Sequence, residues 1–517
     1  MVDRDVKSRQ ILRSPERKPD SPRYWQWLWL CAVLAGTVWL MSSLMHGRPF
    51  AYDEADYRFV AEQGFTANYM DRPAQSFGEF LRVGLSQGPE PGKRAALSRQ
   101  VRESGDINFY RHFHGPLYFY WLAMLNGTSE RASRTIFMAF PILTILVLFV
   151  GPVWLCGWTR GYVAGALAAG TFAWGVPATF TNELAPHQLF ALTTLVVLFL
   201  LAKAMGNGSR SCWYGATLAT AVAFATLEVA FVLLFTLLVC GFLARERLLA
   251  DARFMQRSAI LFVVSVAVLW PGALLRLAFL KAYLFMAYLA VFRKDAWPPT
   301  LAESWRARLS MMPIECLLIG AAIALWLSLR GLRDRRMIPF ILFGLLTLFS
   351  MSPVTTITPR YVLPFLPALV AFAALVLSTW LDGWKLRAGL KFALVAAACL
   401  VLGANTIRVA SAQLADGSDP RPGALLEQIR TLHLEGKRLL VPRGDVPLLH
   451  YYFPQARLTS DDDMQPGDLP VVVDGVVHDG YPVNIAVRKD IRQEQPLAAP
   501  RYRGTSLPGA SVENRTE

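Results

Sequence analysis

The stretch Tyr52-Asp53-Glu54-Ala55-Asp56-Tyr57 sets two adjacent carboxylates a few residues past the first long apolar segment. Acidic side chains at a bilayer edge tend to mark binding or chemistry. A carboxylate there can act as a general base, taking a proton from an attacking hydroxyl or amine. The alternative is a pair of solvated loop charges. Other polar groups collect in comparable places. Arg111, His112 and His114 lead into Gly115-Pro116-Leu117-Tyr118-Phe119-Tyr120-Trp121. Glu183 and His187 bracket Leu184-Ala185-Pro186, and Thr358-Pro359-Arg360-Tyr361 leads into a late apolar segment. An arginine at headgroup level can hold a phosphate with its planar fork. Tyr118, Tyr120 and Trp121 suit a membrane interface and can stack on sugar rings. Base, phosphate clamp and aromatic platform together suit transfer from a lipid-phosphate donor.

Each group also has a plainer role. Tyr118 to Trp121 read equally well as an aromatic belt. His112 and His114 read as loop residues with satisfied hydrogen bonds, since i,i+2 side chains diverge on a helix and reach one metal only in an unusual loop. Glu183 and His187 are four apart and so share a helix face, where they either pair structurally or line a pocket. Arg360 is either a phosphate ligand or an interfacial anchor that snorkels. The run Asp461-Asp462-Asp463 reads as an acidic loop rather than a cation site.

Membrane helices must position these groups. Of the 517 residues 54% are hydrophobic and only 17% charged, and the mean hydropathy is +0.34. That composition belongs to an integral membrane protein rather than a soluble core. Apolar spans are predicted at residues 24–45, 132–156, 162–181, 186–204, 212–227, 229–243, 258–280, 313–329, 337–352, 361–381 and 388–406. These make about eleven crossings of a hydrocarbon layer of ~30 Å. The loops Ala244–Arg257, Arg330–Arg336 and Asp382–Lys391 are rich in Lys and Arg, which places them inside. The remaining loops then fall outside. Trp213–Leu243 is too long for one straight span, and the positive-inside rule favours a tight hairpin turning near Leu227-Glu228 on the outer side. Glu228 either caps that hairpin or acts.

The expected organisation is a basic cytoplasmic N-terminus at 1–23 and a transmembrane domain at 24–406 that includes an outer loop at 46–131. A small α/β outer domain follows at 407–490, and a Pro-, Arg- and Gly-rich flexible tail at 491–517. The first span reads as a retained signal anchor. In the tail, Ala424–Leu432 and Val446–Tyr452 read as helices, Arg438–Val441 and Val471–Asp474 as strands. The net charge of +14 reports loop topology, not nucleic-acid binding. The six cysteines fall in or beside apolar segments without CxxC spacing, so neither a disulfide framework nor a zinc site is expected. The sequence has no Gly-rich phosphate loop, HExxH or GxSxG, so no cytosolic nucleotide is expected to drive the chemistry.

In order along the chain, these motifs resemble a family. They are the early acidic pair Asp53-Glu54 and His114-Gly115-Pro116-Leu117-Tyr118-Phe119-Tyr120, running on through Gly127-Thr128-Ser129-Glu130 to Arg134. Next come Glu183 to His187, and Arg360-Tyr361-Val362-Leu363-Pro364 with Pro367. The set is similar to that of GT-C-type membrane glycosyltransferases, in the branch of protein O-mannosyltransferases and lipid A aminoarabinose transferases. It covers roughly residues 25–380, and Gly115 stands where the pattern usually has Pro. The resemblance implies an all-α polytopic fold and an inverting transfer of one sugar from a polyprenyl-phosphate donor to a glycan, lipid or protein acceptor. It implies Asp53 as base, with Glu54 beside it orienting the acceptor or helping to place a cation, Mg or Mn. It implies Arg360 and Tyr361, with Arg111 and His114, at the donor phosphate and lipid. His112, Tyr118, Tyr120, Glu183 and His187 would line the substrate pocket. The expected location is a bacterial-type inner membrane with the site facing the periplasm. A lipid-linked sugar flippase or a glycan ligase is the competing expectation.

Overall fold

The computed structural model describes residues 24–44, 50, 52–62, 114–125, 127–175, 184–244, 252–276, 306, 309, 312–329, 334–350, 362–384, 388–415, 426, 430, 438–441, 446–454, 457–460, 469–472, 477–478, 481–482 and 486–487. Arg111, His112, Glu183, Arg360 and Tyr361 lie outside them, as do the N-terminal segment 1–23, most of the loop 46–131 and the tail 491–517.

Helices lie where apolar spans are predicted. They are α1 (Tyr24–Leu44), α4 (Glu130–Phe137) running on into α5 (Ala139–Cys156), α6 (Trp158–Ala173), α7 (Pro186–Asn207), α8 (Arg210–Phe224) and α9 (Ala230–Leu243). Further on are α10 (Ala252–Leu269) with the short α11 (Pro271–Arg276), α12 (Pro313–Ser328), α13 (Ile338–Ser350), α14 (Leu366–Gly383) and α15 (Ala388–Ala415). Two short helices precede α4: α2 (Tyr52–Glu62) and α3 (Leu117–Met124). Among the described residues, five helical stretches are long and apolar enough to cross a membrane: Glu130–Cys156, Pro186–Asn207, Ala252–Leu269, Leu366–Gly383 and Gly389–Arg408. The chain is a multi-pass membrane protein. Its outward faces carry large apolar side chains such as Phe349, Val268 and Leu317, which acyl chains cover.

Several boundaries differ from the sequence expectation: α6 ends at Ala173 rather than at 181, α14 begins at Leu366 rather than at 361, and α15 runs on to Ala415 rather than ending at 406; two further shifts involve basic residues. Helix α10 begins at Ala252, so Arg253 and Arg257 sit on its first turns rather than in the preceding loop. Lys391 likewise lies on α15, where it pairs with Asp382 at the end of α14. Basic side chains extend the amphipathic end of a span without stopping its helix, so charge alone marks the boundary late. The segment Trp213–Leu243 does form a hairpin, with α8 and α9 joined by a turn over 225–229 that contains Glu228.

Between membrane helices lipid supplies no hydrophobic drive, so small residues that let backbones approach become the determinant of packing. Gly161 and Gly165, one turn apart on α6, provide that approach to α5. A Cβ at Gly161 would lie 2.2 Å from the Pro152 carbonyl oxygen, and one at Gly165 would lie 2.3 Å from that of Phe149. Small residues of α14, among them Ala371 and Ala374, are also fully buried in the body of the bundle.

A second buried cluster forms at the end of the bundle that carries α2 and α3. Phe50, Tyr57, Tyr118, Leu122, Phe137 and Leu184 meet there with Leu448, Leu449 and Phe453 of the C-terminal segment. That segment contains β1 (Arg438–Val441), α16 (Val446–Tyr452), β2 (Arg457–Ser460), β3 (Leu469–Val472), β4 (Val477–His478), β5 (Tyr481–Pro482) and β6 (Ala486–Val487). The four-stranded sheet has the order β2-β1-β3-β6, with β1 parallel to both neighbours and β6 antiparallel to β3. Strands β4 and β5 pair separately.

Gly161→Ala is expected to force α5 and α6 apart and to cost about 1–3 kcal/mol of stability, as overpacking does elsewhere. Gly320→Ala on α12, where an added Cβ meets nothing within 4 Å, is expected to be neutral. Melting of the detergent-solubilised protein, followed by size-exclusion chromatography, distinguishes the two; equal melting points would remove the close-approach argument.

Candidate active site

Helix α2 places its carboxylates at its start, Asp53 and Glu54 in the first turn, where the helix dipole favours negative charge. The 3.6-residue period then separates two columns. Glu54, Arg58 and Glu62 follow one face, Asp53 and Tyr57 another. Glu54, Asp56 and Arg58 are buried, and Asp53 is half-buried.

Glu54 is the most constrained of these groups. Arg134 grips it with two hydrogen bonds, Nε to Oε1 at 3.0 Å and a terminal guanidinium nitrogen to Oε2 at 2.7 Å, and the Leu184 backbone N–H donates to Oε1 at 3.0 Å. Both side chains are 2% exposed. The forked geometry suits this planar pair and would not survive an Arg-to-Lys exchange. Arg134 reaches Glu54 because the preceding turn is built for it. Gly127 takes a left-handed φ of 82°, and Ser129 caps α4 by accepting the Ala132 N–H at 3.3 Å. One turn further along α2, Arg58 donates to the Leu125 carbonyl at 2.7 Å, a cation at the C-terminal end of α3.

The second polar arrangement joins three segments. The His114 Nδ1 lies 2.9 Å from Glu228 Oε2, and its Nε2 lies 3.2 Å from the Tyr57 hydroxyl. An ionised carboxylate only accepts, so the Nδ1–H tautomer satisfies the first contact. In the neutral ring Nε2 then accepts from the Tyr57 O–H. His187 stands beside this chain with its ring 6.5 Å from that of His114. Glu228 reaches His114 because the loop and the hairpin touch backbone to backbone. The Leu117 N–H donates to the Ala225 carbonyl at 2.9 Å, and a Cβ at position 115 would fall 2.1 Å from that carbonyl group. Gly115 is therefore required by close approach.

The structure thus brings together three of the four motif segments: the acidic helix, the stretch from His114 to Arg134, and the start of α7. Tyr118 is fully buried with its ring edge-on to Tyr57 and Phe137, so it supports the site from behind. Tyr120 is partly exposed, and Trp121 is exposed and rests edge-on to Phe140. Helix α7 begins at Pro186 after an extended Ala185, with Pro supplying the first helical residue, and His187 is buried in its first turn. Among the described residues no group of three or more His, Cys, Asp or Glu is placed to hold a metal. Glu54 does not fit a cation ligand here, since a guanidinium and an amide already engage its oxygens. Sequence reasoning missed the partnership of Arg134 with Glu54 and that of Glu228 with His114; the only signal was the presence of charges in otherwise apolar surroundings.

The helical body with an acidic helix at its end has a fold shared with solved structures. The chain is similar to ArnT from Cupriavidus metallidurans in the apo state, with 15% identity over 84% of this chain and 85% of that one and a TM-score of 0.53. The same enzyme bound to undecaprenyl phosphate matches with 15% identity, the same coverage and a TM-score of 0.51. The archaeal oligosaccharyltransferase AglB from Archaeoglobus fulgidus, in complex with an inhibitory peptide and a dolichol-phosphate, matches with 12% identity, 84% of this chain, 65% of that one and a TM-score of 0.48. No protein-family model and no curated protein matches the sequence.

Arg134→Ala or Glu54→Ala leaves one buried charge without its partner and is expected to cost about 3–5 kcal/mol. The double variant is expected to cost less than the sum of the two, which thermal melts of the three proteins would show. The tautomer is testable separately by 15N-histidine NMR of the chain in nanodiscs, with the His114 signal assigned by its loss in His114→Asn. At neutral pH Nδ1 should carry the proton, and Glu228→Leu should shift the population toward Nε2–H. An unprotonated Nδ1 in the parent protein would refute the arrangement.

Proposed function

We propose that the chain is an inverting glycosyltransferase that moves a sugar from a polyprenyl-phosphate-linked donor to an acceptor at the end of the bundle carrying α2. The observation that carries this reading is Asp53 in the first turn of a helix whose next residue is clamped by Arg134, within the fold of ArnT. A solved structure of that neighbour contains undecaprenyl phosphate, which supports a lipid phosphate as the donor's leaving group.

In the proposed step the acceptor O–H gives its proton to the Asp53 carboxylate. Its oxygen attacks the anomeric carbon from the face opposite the lipid phosphate. The bond from that carbon to the phosphate oxygen breaks, and the phosphate leaves with the electron pair, so configuration inverts once. Arg360, with Tyr361 and Arg111, is placed at the phosphate by this reading, where charge develops and a fixed cation stabilises it. His112, Tyr118, Tyr120, Glu183 and His187 belong to the pocket or its supports, and His114 belongs with Arg111 on the donor side. Glu54 acts as a positioning residue, and a divalent cation at Asp53 would draw its other ligands from elsewhere. The bundle crosses the membrane about eleven times, with the site and the C-terminal α/β unit on the periplasmic side of a bacterial-type inner membrane. The acceptor is a glycan, lipid or protein.

The test uses the full chain in nanodiscs with a panel of undecaprenyl-phosphate sugars, reading released undecaprenyl phosphate. Asp53→Asn is expected to lower turnover about 10²–10⁴-fold, the usual contribution of a general base, while undecaprenyl phosphate still binds. Arg360→Ala is expected to weaken that binding. Full turnover by Asp53→Asn would displace the base, and binding without release across the whole panel would favour a transporter.

A further inference from the structure

The turn between α8 and α9 carries a carboxylate, Glu228, for which the catalytic reading has no role. Beside a helix start the plain role of such a side chain is a cap, and Glu228 does not take it. The N-cap of α9 is Val229, with no side-chain bond at the cap. The Glu228 backbone carbonyl serves the turn by accepting the Phe231 N–H at 3.2 Å. Its carboxylate turns instead to His114, 2.9 Å from Nδ1, and only 20% of the side chain is exposed there. Main chain brings the two together, since the Leu117 N–H donates to the Ala225 carbonyl at 2.9 Å on the same turn.

Two hydrogen bonds in series through one imidazole have a direction. A carboxylate on Nδ1 keeps the hydrogen there, so Nε2 accepts. The Tyr57 hydroxyl, 3.2 Å from Nε2, is then the donor. With the hydrogen on Nε2 instead, that hydroxyl would have to turn round and accept. Tyr57 and His114 are both buried, and the Tyr57 ring is edge-on to Tyr118 with centroids 5.6 Å apart. Tyr57 matters because of its place on α2. At 3.6 residues per turn it lies about 40° around the helix axis from Asp53, and Glu54 lies about 100° from Asp53. The Arg134 grip on Glu54 holds α2 on one face, about which the helix would still roll. The Tyr57 contact holds it close to the Asp53 face and stops that roll.

We propose that Glu228 is a positioning residue of the site: by holding His114 in the Nδ1–H tautomer it commits the Tyr57 hydroxyl as donor to Nε2, and so fixes the rotation at which α2 presents Asp53. The α8–α9 hairpin is then a working part of the site rather than a connection between spans. The catalytic half of this inference rests on the transferase reading above; the tether itself does not. Misplacing a reacting group by about 1 Å costs on the order of 10² in rate, so the tether bears on turnover more than on substrate binding.

The experiment uses the full-length chain in lipid nanodiscs. Glu228→Leu removes the acceptor behind Nδ1, Tyr57→Phe removes the donor at Nε2, and Glu228→Gln keeps an acceptor oxygen and serves as rescue. Amide hydrogen exchange in the peptide covering residues 52–62 is expected to quicken about tenfold in Glu228→Leu and in Tyr57→Phe, as the loss of one such bond predicts. Glu228→Gln should exchange close to the parent protein. With whichever undecaprenyl-phosphate sugar proves active, kcat should fall about tenfold or more in the first two variants. The His114 ring stays in place, so KM for the donor should remain within about twofold of the parent. Glu228 and Tyr57 sit on opposite nitrogens of His114, yet the double variant should be no slower than the slower single one. Unchanged exchange in both damaging variants overturns the tether, and this result stands whether or not any donor is turned over. A double variant slower by the product of the two single effects overturns transmission through His114. A Glu228→Gln protein as impaired as Glu228→Leu overturns the tautomer as its means, and raised KM with unchanged kcat overturns positioning in favour of a binding role. If Glu228→Leu does not fold, exchange and kcat in Tyr57→Phe and Glu228→Gln decide.

Discussion

The buried pair of Glu54 and Arg134 is the constraint on which the site end of this molecule depends. Two ions taken out of water lose several kcal/mol each of hydration, and they recover it only where geometry is good and the remaining lone pairs are used. Here both conditions hold: two hydrogen bonds run in parallel, and the Leu184 amide takes a further lone pair. The pair is less a source of stability than a source of uniqueness. This placement of α2 against α4 satisfies both charges, and it holds a helix that is only eleven residues long. Isolated helices of that length are marginal in water; this one is held by its partners.

The pair also explains why the site belongs to a membrane body. Helix α4 continues into α5 as one stretch, Glu130–Cys156, so the residue that grips Glu54 sits on the end of a membrane-crossing rod. That rod is in turn fixed against α6 by the glycine contacts at 161 and 165. The Leu184 amide belongs to the entrance of α7, whose side chains are mostly buried in the bundle. Three elements with large packing areas therefore meet at one carboxylate, and Asp53 beside it inherits their rigidity.

Much of this architecture was legible in the sequence, and what was not shares a physical cause. Apolar runs mark helices because burial in lipid requires both length and hydrophobicity, and the helices lie where those runs are. The turn at Glu228 was legible too, because a basic loop after it fixes the parity of crossings. Boundaries shifted where Arg253, Arg257 and Lys391 continue helices that charge seemed to end. Glu54 and Arg134 are 80 residues apart, His114 and Glu228 are 114 apart, and Phe50 and Tyr452 are 402 apart. No periodicity connects such pairs; they follow from which helix ends the fold gathers at one place. Gly115 could be noticed as a departure from a motif, but its cause, the backbone of Ala225, exists only once the hairpin has formed.

A helix start is a demanding place for a general base. Under the transferase reading Asp53 is that base, and it stands in the first turn of α2. Such a base is effective when its geometry, rather than its strength, does the selecting. That requirement gives meaning to the asymmetry between the two adjacent acids. Glu54 is closed off by a guanidinium and an amide, whereas Asp53 remains half-buried on the column that also carries Tyr57. One carboxylate anchors the helix so that its neighbour can be presented, and the chain Tyr57, His114 and Glu228 ties the following turn of the same helix to the α8–α9 hairpin.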